Sequence, residues 1–469
     1  MSRLLLLILC LGLFGCNDNT TDSNQWLAET GAVPNFTQRM GDADKGRYAL
    51  LHESYVSCGT PERVFRQLQD SFSQGQNIVP VSGRDSSMDG LPFSVNRVIG
   101  RTGTPVISSN CLTCHGTELF GELVIGLGNE FADFTQNPSV AVERAGALVQ
   151  GADETAEWEL FADRIAAIAP YTQMPTVGVN PANNLTIALI SHRDVNTNAW
   201  LAEPALPSPP TNPPPVSVPP WWRMAKKHAM FNMSEGREDH ARMMLAASML
   251  CVDSVDELNK IDQYATDVRA YLSSLTPPEY PFEIDEQKAT RGELVFNTTC
   301  AACHGTYGPN GEYPNQVVPI DVINTDSRLI ELATGDLGQR YAQWFNASWY
   351  GEKSFVAPAK GYVAPPLDGI WATAPYLHNG SVPNIGLLLS SAERPTLWRH
   401  IPRDASDPES YDTVNLGWNH EVITTGSEQS DDPRIYDTRR EGYGITGHTF
   451  GDALDEADKS AVLEYLKTL

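Results

Sequence analysis

Cys111-Leu112-Thr113-Cys114-His115 and Cys300-Ala301-Ala302-Cys303-His304 are two copies of the pattern Cys-x-x-Cys-His in this chain of 469 residues. Two thiols at this spacing can add to the two vinyl groups of one haem, and the histidine that follows can bind the iron. A zinc site built from Cys-x-x-Cys pairs usually takes both pairs to one metal ion and does not require these histidines. The repeat therefore predicts two covalently bound haem c groups, attached through Cys111, Cys114, Cys300 and Cys303, with His115 and His304 as iron ligands.

The amino terminus predicts the compartment. Met1-Ser2-Arg3 is a short basic start, residues 4–13 form an apolar run of signal-peptide length, and Leu13-Phe14-Gly15-Cys16 is similar to the lipobox of bacterial lipoproteins. The run is shorter than the ~20 residues that span a bilayer. We predict a signal peptide over residues 1–15 and a lipid on Cys16. A polar tether would follow over residues 16–40, on a lipoprotein of the bacterial cell envelope that faces the periplasm. An ordinary secretory signal, giving a periplasmic or secreted protein, is the alternative.

The composition limits the partners. The chain carries 58 acidic and 33 basic side chains, which gives a formal net charge of -25. No basic cluster interrupts this acidity, so we expect no nucleic-acid partner and no membrane contact except through the amino-terminal lipid. The expected partners are a redox protein, steered by its opposite charge, or a small oxidant such as peroxide or dioxygen.

Two cysteines, Cys58 and Cys251, remain outside the leader and the two motifs. In an oxidising compartment two such cysteines more often form a disulfide than stay free. The sequence predicts this bond but does not show that the two residues meet.

A repeated phrase divides the chain into two halves. Residues 270–275 read AYLSSL and residues 464–469 read EYLKTL, and each phrase ends a stretch with helical periodicity. Both halves thus resemble class I cytochrome c domains, in which the closing helix packs on the opening helix. Three prolines within residues 277–281 mark the boundary. The predicted fold is mainly α, with tandem cytochrome c-like domains over residues 41–276 and 277–469 and long loops.

The two halves differ before their motifs. Residues 285–297 predict a helix in which Gly292 and Phe296 lead into Cys300, a pattern similar to the first helix of cytochromes c. Residues 106–110, before the first motif, look extended instead. The first half is therefore the more divergent one, and its proline-rich residues 206–220 predict a polyproline II strap over the surface.

The positions of the methionines limit which residues can be the sixth ligand of each iron. All ten methionines lie at or before Met249, so the second half offers none as a sixth ligand. We therefore predict two histidine ligands at haem two. The candidates beside His304 are His378, His400, His420 and His448. At haem one, Met174, followed by a proline, is a candidate sixth ligand.

Residues 368–383, DGIWATAPYLHNGSVP, resemble the Ala-Pro-Tyr-x-His-(Asp/Asn)-Gly signature of bacterial di-haem cytochrome c peroxidases. That resemblance implies a similar architecture, with peroxide chemistry at one haem and an electron stored at the other. The match departs at Ala392, where the family has its methionine ligand. His378 lies within the signature, either as a ligand or as a hydrogen-bonding partner of a propionate or a backbone carbonyl.

A second resemblance covers most of the chain after the leader. The chain is similar to the rubber-oxygenase-type di-haem cytochromes in residues 110–115, 123–129 and 219–222, in the His378 signature and in residues 447–451. The resemblance implies that His115 is the proximal ligand of a reactive haem one, and that His304 and His448 bind haem two. It also implies that Trp222 lies near haem one. Trp222 and His378 are the candidate catalytic residues. Substrate does not transfer with the fold.

Two functions follow from these observations. In the first, the protein is a haem-dependent oxidoreductase of peroxidase or oxygenase type, which activates peroxide or dioxygen at haem one and exchanges electrons through haem two. In the second, it is a non-catalytic, lipid-anchored electron-transfer cytochrome with six ligands on both irons. The sixth position of haem one separates them, because a bound Met174 favours the carrier and an open position favours the enzyme.

Overall fold

The computed structural model describes residues 27–72, 79–401, 407–424 and 431–469. The predicted signal peptide, the lipidation at Cys16 and the start of the tether lie outside these residues. The structure is 40% helical and 14% strand. The described helices are α1 (Ala43–His52), α2 (Glu62–Phe72), α3 (Leu112–His115), α4 (Pro138–Gly146), α5 (Gly151–Ile168), α6 (Ala182–Ser191), α7 (His240–Met244), α8 (Val255–Ser274), α9 (Glu286–Thr299), α10 (Ala301–His304), α11 (Ile320–Ile323), α12 (Arg328–Thr334), α13 (Asp336–Ala347), α14 (Ile385–Leu388) and α15 (Glu456–Leu466).

The strands are short and antiparallel. They are β1 (Gly31–Ala32), β2 (Thr60–Pro61), β3 (Val95–Ile99), β4 (Pro105–Ser109), β5 (Gly116–Leu119), β6 (Glu122–Ile125), β7 (Gly236–Glu238), β8 (Gln316–Pro319), β9 (Ser354–Val356), β10 (Gly361–Val363), β11 (Leu397–His400), β12 (Tyr411–Asp412), β13 (Gly417–Trp418), β14 (His420–Val422) and β15 (Ile435–Asp437). They form sheets β1-β8-β10, β14-β11-β15 and β2-β4-β3 and pairs β5-β6, β7-β9 and β12-β13. The fold is therefore mixed, whereas the sequence predicted a mainly α class, because strands of two to five residues are too short for the alternation that marks a strand.

In each half a glycine lets two helices cross at close range. A Cβ on Gly292 in α9 would lie 1.9 Å from the carbonyl oxygen of Ala461 in α15, so in the second half the closing helix packs on the opening helix, as expected, and the contact is at Gly292. A Cβ on Gly46 in α1 would lie 1.8 Å from the carbonyl oxygen of Asp267 in α8. Each opening helix is capped at its amino end by an aspartate side chain that accepts backbone hydrogen bonds.

The two halves are interlocked. β1 pairs with β8 of the second half, with Gly31 opposite Val317, and β7 pairs with β9 across the predicted boundary. Arg39 binds Asp239 at 2.8 Å and Asp262 at 2.7 Å. Residues 27–40 belong to the predicted polar tether of residues 16–40, and within them the strand β1 and the ion pairs of Arg39 contact the body.

A shared core and a disulfide complete the body. The largest apolar cluster joins Leu127 and Trp222 of the first half to Phe296 and Trp371 of the second. Cys58 and Cys251 form a disulfide, and both are fully buried, which confirms the predicted bond. Among the helices that the structure describes, none has the length and apolar character needed to cross a membrane.

The proline-rich strap lies against the surface of α6. The side chain of Asn184 in α6 donates a hydrogen bond to the Pro210 carbonyl at 2.6 Å. The Ser217 N–H donates to the carbonyl of His378 at 2.8 Å, and Val216 pairs with Asn180 as an isolated bridge. The strap therefore connects α6 to the loop that contains the peroxidase-like signature.

Candidate haem sites

The first motif follows directly from a strand. β4 ends at Ser109, and Asn110 then fixes the turn into α3: its side-chain oxygen accepts a hydrogen bond from Leu112 N–H at 2.8 Å. The amide nitrogen of Asn110 donates to the Phe93 carbonyl at 2.9 Å and to the Asn96 side chain at 2.8 Å. The expected extended approach to this motif is confirmed, and a buried asparagine network sets its orientation.

His115 packs on an indole ring. Its ring stacks on Trp221 with 4.5 Å between centroids and 20° between planes. Burial lowers the pKa of His115 to about 3, against a smaller opposing effect of the Pro219 backbone. The thiols of Cys111 and Cys114 form no disulfide, and burial raises their pKa values to about 12 and about 11. At neutral pH the imidazole is therefore uncharged, which is the form that binds a metal.

The second motif continues the opening helix of its half. The Cys300 N–H donates to the Phe296 carbonyl at 2.8 Å, and Gly305, at a φ of 82°, ends the turn after His304. His304 Nδ1 makes a 2.8 Å hydrogen bond with the Pro365 carbonyl. This contact orients the ring and leaves Nε2 as the free nitrogen, which is the arrangement that a metal-binding histidine needs.

His448 lies opposite His304. The two ring centroids are 6.1 Å apart and the ring planes are tilted by 56°. Imidazoles that bind one metal ion from opposite sides have centroids about 6 Å apart, because each metal–nitrogen bond is about 2 Å and each centroid lies about 1 Å behind its nitrogen. Burial, followed by the charge of His304, lowers the pKa of His448 to about 4. The pair therefore fits an iron held between two neutral histidines.

A strained loop places His448 there. The residue has a φ of 46° and follows Gly447 at 77°. A Cβ on Gly447 would lie 2.3 Å from the carbonyl carbon of Asn324, and the His448 N–H donates to the Ile323 carbonyl at 2.8 Å. Left-handed backbone at a residue other than glycine is costly, and such strain is concentrated at functional sites.

The other candidate histidines have different neighbours. The His378 ring stacks on Tyr362 at 4.0 Å, and burial lowers the pKa of His378 to about 3. His400 and His420 face each other across β11 and β14, and both rings contact Trp398. Of the four candidates, His448 is the one that the structure brings to His304.

The tryptophan pair is divided between two environments. Trp221 stacks on His115. The Trp222 indole nitrogen donates to the carbonyl of Asp368 at 2.8 Å, and its ring lies in the core shared by both halves. The contact of Trp221 with His115 was missed by the sequence reasoning, which placed Trp222 near haem one.

Met174 packs away from the first motif. Its side chain, 2% exposed, lies in a separate cluster with Trp398, Tyr436 and Tyr443. The methionines that pack against the cluster around the first motif are Met224 and Met244 instead. The chain position of Met174 relative to His115 suggested a ligand, but its side chain contacts strands of the second half.

The family described as RoxA-like, cytochrome c-like matches residues 361–399, from β10 to β11, including the His378 loop. The chain is 32% identical over 259 residues to the uncharacterized protein y4iM of Sinorhizobium fredii, covering 46% of this chain and 56% of that protein. It is 29% identical over 293 residues to the uncharacterized protein y4iJ of the same organism, covering 48% of this chain and 47% of that one. The chain thus spans about half the length of these relatives.

The matched region is a RoxA-like cytochrome c domain, which supports a relation to the rubber-oxygenase-type cytochromes. A domain of this kind implies covalently bound haem c and indicates a haem-based redox function.

Proposed function

We propose that the protein is a di-haem c-type cytochrome and an oxidoreductase of peroxidase or oxygenase type. His115 would hold the reactive haem one and the pair His304–His448 would hold the electron-transferring haem two. The observation that carries the proposal is the 6.1 Å separation of the His304 and His448 rings, because it provides two ligands at one motif. A haem iron with an open position supplies the chemistry of peroxide or dioxygen.

The residues around His115 support a reactive first site. Trp221 covers the ring, and Leu112 and Phe93 belong to the same apolar cluster, so the histidine is oriented and shielded from water. Met174, the ligand on which the carrier alternative depended, is committed to another cluster. The carrier alternative would now need Met224 or Met244, which pack near the motif.

Trp222 supports electron exchange between the sites. Its ring is in the core shared by the two halves and its nitrogen is bound to the Asp368 carbonyl, in the loop that follows the Pro365 partner of His304. An easily oxidised ring between two redox centres shortens the steps that an electron must make. In this proposal His378, whose ring stacks on Tyr362, stabilises the loop of residues 368–383, which begins at the Asp368 that binds Trp222.

Counting covalent haem tests the first part of the proposal. The wild type should retain two haems per chain under denaturing conditions, and Cys111→Ser/Cys114→Ser and Cys300→Ser/Cys303→Ser should each lose about one, since each double variant removes both attachment points of one haem. Release of all haem from the wild type into acidified organic solvent would refute covalent attachment.

Carbon monoxide tests the second part. The ferrous protein should bind about one carbon monoxide per chain, and peroxide or dioxygen should reoxidise both haems. Trp222→Phe should slow that reoxidation and leave both haem spectra unchanged. Binding of no carbon monoxide would mean that both irons are closed, and the electron-transfer cytochrome would then be the correct function.

A further inference from the structure

Arg223 is a buried cation without a carboxylate partner. It lies in the 3-10 segment Trp221–Ala225 and is 6% exposed. Its Nε donates to the backbone carbonyl of Asp368 at 3.2 Å, and a terminal nitrogen donates to the Thr373 hydroxyl at 3.5 Å. The second contact is long. The Asp368 carboxylate is already bound to the Lys226 ammonium, at 2.7 and 2.9 Å.

Three other buried arginines of this chain, Arg164, Arg193 and Arg242, are paired with carboxylates. Arg193, fully buried, binds the Asp253 carboxylate at 2.5 Å, and Arg242 binds the Asp262 carboxylate at 2.9 Å. Among the residues that the structure describes, no carboxylate makes such an ion pair with Arg223. An unpaired charge in a protein interior is unfavourable, because the charge has lost its hydration and gains no partner. The positive charge of Arg223 is therefore balanced by no carboxylate of the described residues, and its surroundings can accept an anion.

The position of Arg223 indicates where that anion lies. The residue lies two positions after Trp221, which stacks on His115, and its Nε binds the carbonyl of Asp368, three residues after Pro365, whose carbonyl binds the His304 ring. Arg223 is thus linked to the first motif through the segment that contains Trp221 and to the second motif through the loop of residues 365–368. Its planar donors match the two oxygens of a carboxylate better than any other anion of similar size except phosphate.

We propose that Arg223 binds a carboxylate, the propionate of the haem held by His304, and thereby raises the reduction potential of that haem. The proposal rests on the proposed di-haem function. A fixed positive charge near an iron disfavours the ferric state, which carries one more positive charge than the ferrous state. Arg223 is thus a positioning residue. A carboxylate of a soluble small molecule has the same chemistry and is the other source to test.

The test is a redox titration of the full-length holoprotein with Arg223→Gln and Arg223→Lys. The spectrum of the haem with two histidine ligands is followed. In Arg223→Gln its ratio of oxidised to reduced form at a fixed potential should rise at least tenfold, a shift of about 59 mV for one electron. Arg223→Lys keeps the charge but loses the paired bonds, so its shift should be smaller and in the same direction. Arg340→Gln, which breaks a surface pair with Asp336, should shift nothing.

The outcomes separate the hypotheses. Unchanged potentials in Arg223→Gln, with full haem content, overturn the role of Arg223 and leave the di-haem function intact. If Arg223→Gln does not accumulate, Arg223→Met, which also removes the charge, replaces it, and an unchanged potential in Arg223→Met overturns the role of Arg223 equally. A wild-type potential that responds to added acetate or succinate, with no response in the variant, overturns the propionate in favour of a soluble carboxylate. Loss of covalent haem from the wild type would instead contradict the proposed function itself.

Discussion

His448 is the residue on which the second site depends. Replacing His448 by alanine removes one of the two rings that lie 6.1 Å apart, so haem two should change from low spin to high spin while haem one keeps its signal. Electron paramagnetic resonance of the oxidised protein measures this change. His420→Ala, on strand β14, is the control and should leave both signals unaltered. An unchanged low-spin signal in His448→Ala would assign the ligand to another histidine.

The buried carboxyl group of Glu235 should make the stability of the protein depend on pH. Burial raises its pKa to about 7, with Lys227 and Arg237 opposing the shift. Between pH 4.5 and about pH 7 the folded state therefore keeps a proton on Glu235 that the unfolded state has lost. The free energy of unfolding should fall by about 1 to 3 kcal/mol across this pH range and stay lower above pH 7. Urea unfolding at pH 5 and pH 8 should show this fall in the wild type and a smaller one in Glu235→Gln.

The exposed Glu312 provides the control for that measurement. Glu312→Gln should keep the wild-type difference between pH 5 and pH 8, because the side chain stays in water. If Glu235→Gln retained the full difference as well, the proton would be held by another group.

At the scale of elements, the crossing of α9 and α15 depends on Gly292. Alanine favours helix by about 1 kcal/mol, but its Cβ would lie 1.9 Å from the Ala461 carbonyl oxygen, so the helices would have to separate. We expect Gly292→Ala to lower the free energy of unfolding by about 1 to 3 kcal/mol in urea titrations. Glu293→Ala, one position along on the exposed face, should have little effect. Equal stability of Gly292→Ala and wild type would show that the crossing tolerates a wider spacing.

The elements also show where sequence reasoning succeeded and where it could not. The Gly292 pattern was readable because the helix lies directly before its motif. Its counterpart in the first half, α1, is separated from the first motif by α2 and by several strands and loops. Gly46, in an amphipathic stretch, was the one sequence feature that indicated this helix crossing. The stacking of Trp221 on His115 and the packing of Met174 join residues far apart in the chain. Local periodicity carries no information about such contacts.

At the scale of the molecule, the Cys58–Cys251 disulfide closes a loop of 193 residues. A cross-link of such length restricts the unfolded chain strongly, so its loss should lower the free energy of unfolding by about 2 to 5 kcal/mol. The measurement compares urea unfolding of the wild type with that of Cys58→Ala/Cys251→Ala. Wild type treated with a thiol reductant is the matched control, because it loses the bond and keeps the volume of both side chains. Coincident transitions in all three would contradict the prediction.

The pairing of β1 with β8 also sets an order of events while the chain is being made. Gly31 leaves the ribosome before its partner Val317, which follows 286 residues later. At a synthesis rate of about 5 to 20 residues per second, β1 is complete about 15 to 60 s before its partner strand β8. We expect this seam to form only after the whole first half has been made, and the crossing of α9 and α15 to form later still. Because the segment that contains β1 is synthesised early and pairs late, the thiols of both motifs stay accessible to modifying enzymes before folding buries them.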